Sequence, residues 1–136
     1  MSDQLLPHRG TARLLTRVVR SDAASVEAIC EIPASHPLVT DGRAPGLLGL
    51  ELGAQAAAAM EALNRGRDTG DQAARIGYLV RVREATFVTA DLPIDTPLVV
   101  SARLEGSAPP LAIYRITVGL DGRELLNATL STYSGA

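Results

Sequence analysis

One long apolar run, set among segments that alternate apolar and polar residues, organises this chain. From Ala44 to Leu63 it reads APGLLGLELGAQAAAAMEAL, and between Pro45 and Met60 only Glu51 and Gln55 have polar side chains. Pro45 suits a first helical turn, where a missing N–H is no loss. Leu and Ala, both strong helix formers, dominate after it. The pattern predicts about 18 residues of helix, roughly 27 Å long. That length touches the lower limit for a membrane span. The acid and the amide at its middle, without a flanking basic cluster, argue against one. A helix apolar on nearly all sides is otherwise one that other elements wrap. Glu51 and Gln55 are four apart and share a face.

Strand patterns lie on both sides of the run. Residues 12–20, ARLLTRVVR, fit a strand. Ser25 to Ile32 sets Val26, Ala28, Cys30 and Ile32 against Ser25, Glu27, Ile29 and Glu31, the alternation of a half-buried strand. Ser21 to Ala24 turns between them, so the two form a hairpin. Pro33 to Arg43 is a loop, and Asn64 to Gln72 a polar loop that stops the helix. Ala74 to Ala90 predicts one long or bulged strand, with Gly77 as the bulge, and Asp91 to Pro97 a connection. Leu98 to Leu104 and Ala112 to Leu120 flank a Gly-Ser-Ala-Pro-Pro turn. Asp121-Gly122 then turns the chain into a last strand, Glu124 to Tyr133. The order β-β-α-β-β-β-β predicts an α+β layer architecture. The antiparallel sheet must curl around the helix, and a second subunit is expected to cover what the sheet leaves open, as in a homodimer.

Composition narrows the function. The chain has 136 residues, which predicts one domain, residues 1–136. Net charge is −2 and aromatic content 3%, so neither electrostatics nor stacking points to nucleic acid. The basic residues are all Arg. The single Cys30 excludes an internal disulfide and a cysteine metal cluster, and reads as a buried small hydrophobe. The first residues, MSDQLLPHRG, lack the apolar core of a signal peptide, so the expected location is cytoplasmic.

Three segments together resemble the hotdog-fold 3-hydroxyacyl-ACP dehydratases of fatty-acid synthesis: Leu5 to Val19, with its Leu-Pro-His-Arg opening; Pro45 to Gln55; and Ala74 to Phe87. The helix segment matches the family's Pro-Gly, four apolar residues, catalytic acid, three residues, then Gln. The loop SHPLVTDGRAPG, with its Asp-Gly-x-x-Pro before the helix, is more similar to the dehydratase-like proteins of aryl polyene pigment clusters. The resemblance implies a hotdog fold, in which a curved antiparallel sheet wraps one central helix. It also implies removal of water from a 3-hydroxyacyl thioester carried by an acyl carrier protein. No metal or redox cofactor is implied. The partner would be a second hotdog chain, identical or not.

Carried over by residue, Glu51 matches the catalytic acid and Gln55 the glutamine that orients it. Gly46 matches the glycine whose N–H holds the thioester carbonyl. Helix starts present free N–H groups, which gives that role an independent reason. The family's loop His stands fourteen residues before the acid; here Pro37 fills that position and His36 the one beside it. His36 is therefore the first candidate base and His8 the second. Each has a plainer reading: His36 as a solvated loop residue, His8 as a structural residue of the entry segment, Gln55 as a core amide. Glu51 would then be a buried acid paired with Arg75 or Arg81. Asp41 and Arg43 read as loop and helix-entry chemistry, Arg65 and Arg67 as solvated charges, and Tyr78, Tyr114 and Tyr133 as packing. Two other functions share the same residues. In an acyl thioesterase the helix acid activates water and no His is needed. In a non-catalytic subunit the chain shapes the tunnel of an active homologue.

Overall fold

A computed structural model describes residues 14–69 and 77–134. Its elements in chain order are β1 (Leu15–Ser21), β2 (Ser25–Cys30), β3 (Arg43–Pro45), α1 (Leu48–Thr69), β4 (Gly77–Phe87), β5 (Asp91–Pro93), β6 (Leu98–Ala108), β7 (Leu111–Leu120) and β8 (Arg123–Ser134). The long strands form one curved antiparallel sheet in the order β1-β2-β6-β7-β8-β4, with α1 packed across one face. The α+β architecture expected from the pattern, and the curved sheet around one helix that the resemblance implies, are the architecture observed.

The alternation in β2 is realised residue by residue. Val26, Ala28, Cys30 and Ile32 are buried, and the residues between them are half-buried. Burial pushes the Cys30 thiol up to about 12. At the β1–β2 turn, Asp22 Oδ1 accepts the N–H groups of Ala24 and Ser25, which hold its carboxyl below the ordinary value. At the β7–β8 turn, Asp121 and Gly122 have φ of 52° and 79°. Both lie in the left-handed region that a two-residue hairpin requires.

Leu98, Val100 and Ala102 of β6, Tyr114, Ile116 and Val118 of β7, and Leu126, Ala128 and Leu130 of β8 are all buried. Glycine sets how closely α1 approaches this surface. A Cβ on Gly53 would lie 2.7 Å from Ile116 Cδ1, and one on Gly49 would collide with Leu126. A helix with larger residues there would ride higher and leave the core underpacked.

Several local expectations are corrected. The helix starts at Leu48, because residues 43–45 pair with β5 across Arg43–Pro93, Ala44–Leu92 and Pro45–Asp91. That pairing also puts a short strand in the segment expected to be only a connection. The helix continues to Thr69 through residues expected to be a loop. Arg65 and Arg67 are good helix formers, and one glycine lowers helix stability by only about 1 kcal/mol. The irregularities of β4 lie between Leu79 and Arg81 and between Arg83 and Thr86, not at Gly77, which opens the strand. Glu84 takes φ of 53° at the second of them. β6 runs through Gly106 to Ala108, so the turn contracts to Pro109-Pro110. No helix among the described residues is long and apolar enough to cross a membrane.

Candidate active site

Gln55 is fully buried in the second turn of α1, and its hydrogen bonds explain why. Its Oε1 accepts the backbone N–H groups of Leu14 at 2.8 Å and Leu15 at 3.0 Å, where the chain enters β1. An amide whose oxygen is taken by two donors must turn its NH₂ the other way. Nε2 accordingly donates to Glu51 Oε2 at 3.1 Å, one helical turn back. The start of β1 thus orients Gln55, and Gln55 orients the carboxylate. Glu51 lies in the first turn of α1, half-buried, where the helix dipole favours negative charge.

The helix start has donors of its own. Gly46 N–H donates to Ala90 C=O at 2.9 Å, so that donor is occupied within the chain. A Cβ on Gly46 would lie 2.9 Å from the same oxygen, so only glycine allows the 87–90 segment to approach. Among the described residues, the N–H groups of Leu47 and Leu48 have no hydrogen-bond acceptor. Leu47 is 67% exposed beside them, with Phe87 and Val88 on the same rim.

His36 is half-buried in the loop between β2 and β3. Its Nδ1 accepts Leu38 N–H at 3.1 Å, which leaves Nε2 to carry the proton of the neutral ring. The lone pair a base would need is therefore held by the loop's own backbone. No hydrogen bond joins His36 to Glu51 or Gln55 among the described residues. His8 and Arg75 lie outside the described residues. Arg81 points away from α1, its position paired with Ser131 across the sheet edge. Arg43 and Asp91, 3.5 Å apart, brace the helix entry.

A polar contact that the sequence reading missed lies farther along the helix. The buried Tyr114 hydroxyl donates to Glu61 Oε2, and Thr132 Oγ1 donates to the same oxygen at 3.5 Å. Tyr114 was expected only to pack. The signal available was Glu61 itself, a second acid ten residues after Glu51.

The sequence from residue 2 to 136 matches the family described as ApeP-like, ApeP dehydratase. The chain belongs to the ApeP-like dehydratase family. Among solved structures, it is similar to the dehydratase heterocomplex ApeI:P from Xenorhabdus doucetiae, at TM-score 0.90 and 21% identity. That match covers 99% of this chain and 91% of the other. A hypothetical thioesterase with coenzyme A from Streptococcus pneumoniae matches at TM-score 0.63 and 12% identity, over 88% of this chain and 85% of that one. A mutant thioesterase from Pseudomonas aeruginosa matches at TM-score 0.59 and 18% identity, over 87% and 79%. A search of curated proteins finds no match. At these identities the solved structures support the hotdog fold, and the ApeP-like family carries the dehydratase assignment.

Proposed function

We propose that this chain is the acid-bearing subunit of a 3-hydroxyacyl-ACP dehydratase, and that it works with a second hotdog chain. The observation that carries this reading is the Leu14/Leu15–Gln55–Glu51 relay. It fixes a carboxylate one turn inside a helix whose first free donors are Leu47 and Leu48 N–H. Those donors hold the thioester carbonyl and stabilise the enolate oxygen that forms when the α-proton leaves. Glu51 handles the β-hydroxyl and delivers a proton to it as water departs. This moves the carbonyl-holding role from Gly46, whose N–H is engaged, to the next two residues.

The α-proton needs a base. His36, with Nδ1 tied to Leu38, becomes one only if that bond opens. The similarity to ApeI:P, a dehydratase heterocomplex, supports a partner-supplied base. The partner sits where α1 is open, along Leu47, Leu50, Ala54 and Ala58, beside edge strand β4.

Turnover of a 3-hydroxyacyl carrier protein, followed by mass for loss of water, tests the reading. The chain is assayed alone and with a co-expressed hotdog dehydratase, beside Glu51→Gln and His36→Ala. Water loss that needs both chains, vanishes in Glu51→Gln and survives in His36→Ala supports it. Water loss unchanged in Glu51→Gln overturns it. Release of free acid in place of water loss moves the function to a thioesterase, a reaction Glu51 and the helix start would serve without a histidine.

A further inference from the structure

The outer face of the sheet, turned away from α1, carries charge that the site does not use. Strand residues alternate between faces, so the neighbours of the buried Val100, Ala102, Ile116, Ala128 and Leu130 point outward. The register sets Arg103 opposite Arg115, Arg115 opposite Thr129, and Thr129 opposite Arg83. Adjacent strands are about 4.8 Å apart, so this rung puts three guanidinium-bearing residues across about 14 Å of sheet. Arg81 stands outward on the same edge strand, opposite Ser131. Like charges directly opposite destabilise a strand pair, and Arg103–Arg115 is such a pair.

The charge is met only in part: Glu27 pairs with Arg20, and Glu84 and Glu124 reach Arg115 only through Thr129 and Asn127. Arg115 donates to neutral oxygens, Thr129 Oγ1 at 3.1 Å and Asn127 Oδ1 at 2.6 Å. Arg81, Arg83 and Arg103 are exposed and in no ion pair among the described residues. Of the carboxylates on this face, Glu84 accepts from Thr129 and Glu124 from Asn127. The whole chain is nevertheless at −2, so the positive charge is local and opposed elsewhere.

We infer that the Arg83–Arg115–Arg103 face docks the carboxylate-rich surface of an acidic protein. Guanidinium forks pair with carboxylates two bonds at a time. A second copy laid on this face would set Arg against Arg. Nucleic acid or an anionic membrane extends over many Debye lengths, each about 8 Å, and meets the chain's net negative charge. A small acidic protein meets the face alone. Val82, between Arg81 and Arg83, points to the helix side and is 38% exposed, and the same strand reaches the helix start at Phe87, whose Cδ1 would lie 3.2 Å from a Cβ on Gly46. Resting on the function proposed above, the docked protein is the acyl carrier, whose tethered thioester enters around that edge.

Fluorescence anisotropy of a labelled 3-hydroxyacyl carrier protein tests this, titrated with the chain and its hotdog partner at low and at high salt. Arg83→Glu with Arg103→Glu is expected to weaken Kd about tenfold or more, chiefly through association rate. Arg43→Glu, at the helix entry, is expected to change it by about twofold or less. Equal Kd for wild type and the double variant overturns the inference, as does a loss carried by Arg43→Glu. Arg103→Ser removes the like-charge pair and should melt no lower than wild type, so its weakened binding is not misfolding. Water loss from a short carrier-free thioester, in wild type and Glu51→Gln, is read separately. Failure there with the Kd shift intact removes the reaction and leaves the docking face. Turnover there without the Kd shift does the reverse.

Discussion

The two long sides of α1 are made of much the same residues and meet opposite conditions. Toward the sheet, Gly49 and Gly53 leave no room for a Cβ, and Ala56 and Met60 are sealed. Toward the open side, Leu47 is 67% exposed and Leu50, Ala54 and Ala58 are only half-buried. Small residues serve close packing on one side and leave a groove on the other. Gln55 and Glu61 mark the two borders. Each ties the helix to the sheet with polar bonds, Gln55 to the start of β1 and Glu61 to β7 and β8. Burial by itself does not distinguish a structural alanine from one that faces a ligand or a partner. What lies across from it does.

The sharpest way to break this arrangement is Gln55→Leu. It strands the N–H groups of Leu14 and Leu15, at about 2 kcal/mol for each buried donor left unmade. Urea unfolding should show a loss of about 4 kcal/mol. A loss under about 1 kcal/mol would mean that water or another group reaches those donors. Gly53→Val drives branched carbons into Ile116 and should cost about 3 kcal/mol by overpacking, read as a fall in urea midpoint at constant slope. Tyr114→Phe removes the main donor to Glu61 and should cost about 1.5 kcal/mol, as for a hydrogen bond to a charged group. The smallest effect belongs to the open side. Ala58→Leu should leave the urea midpoint of the isolated chain within about 0.5 kcal/mol of wild type, while weakening co-purification with a hotdog partner. Equal destabilisation by Gly53→Val and Ala58→Leu would erase the difference between the two sides.

Cys30 offers an independent reading of the sheet side. Its thiol is buried and its ionisation pushed up to about 12. It should resist iodoacetamide near pH 8 in the native chain and label once urea opens the core. Fast native labelling would show that α1 lifts from the sheet.

Much of this fold was legible because local rules agreed with each other. Alternation marked β2, the Asp-Gly pair marked the β7–β8 hairpin, and the long apolar run marked α1. Glu51 was conspicuous as an acid in that run, and Gln55 followed from the one-turn spacing. The borders of α1 were less legible. Strand pairing by Arg43 to Pro45 overrode the helix-start chemistry of Pro45, and backbone continuity carried the helix through Asn64 to Thr69. The partners of Gln55 lie about forty residues away in sequence, and those of Glu61 more than fifty. No local pattern announces such contacts.

The sequence by itself determined the six long strands and the central helix, and made Glu51 stand out in its apolar run, because periodicity and propensity act over a few residues. Only the tertiary structure decided where the amide of Gln55 points, that the N–H of Gly46 is occupied, and that Arg83, Arg115 and Arg103 share a rung. Those outcomes depend on strand register and on how closely the helix approaches the sheet, and both are set by contacts between residues far apart in the chain.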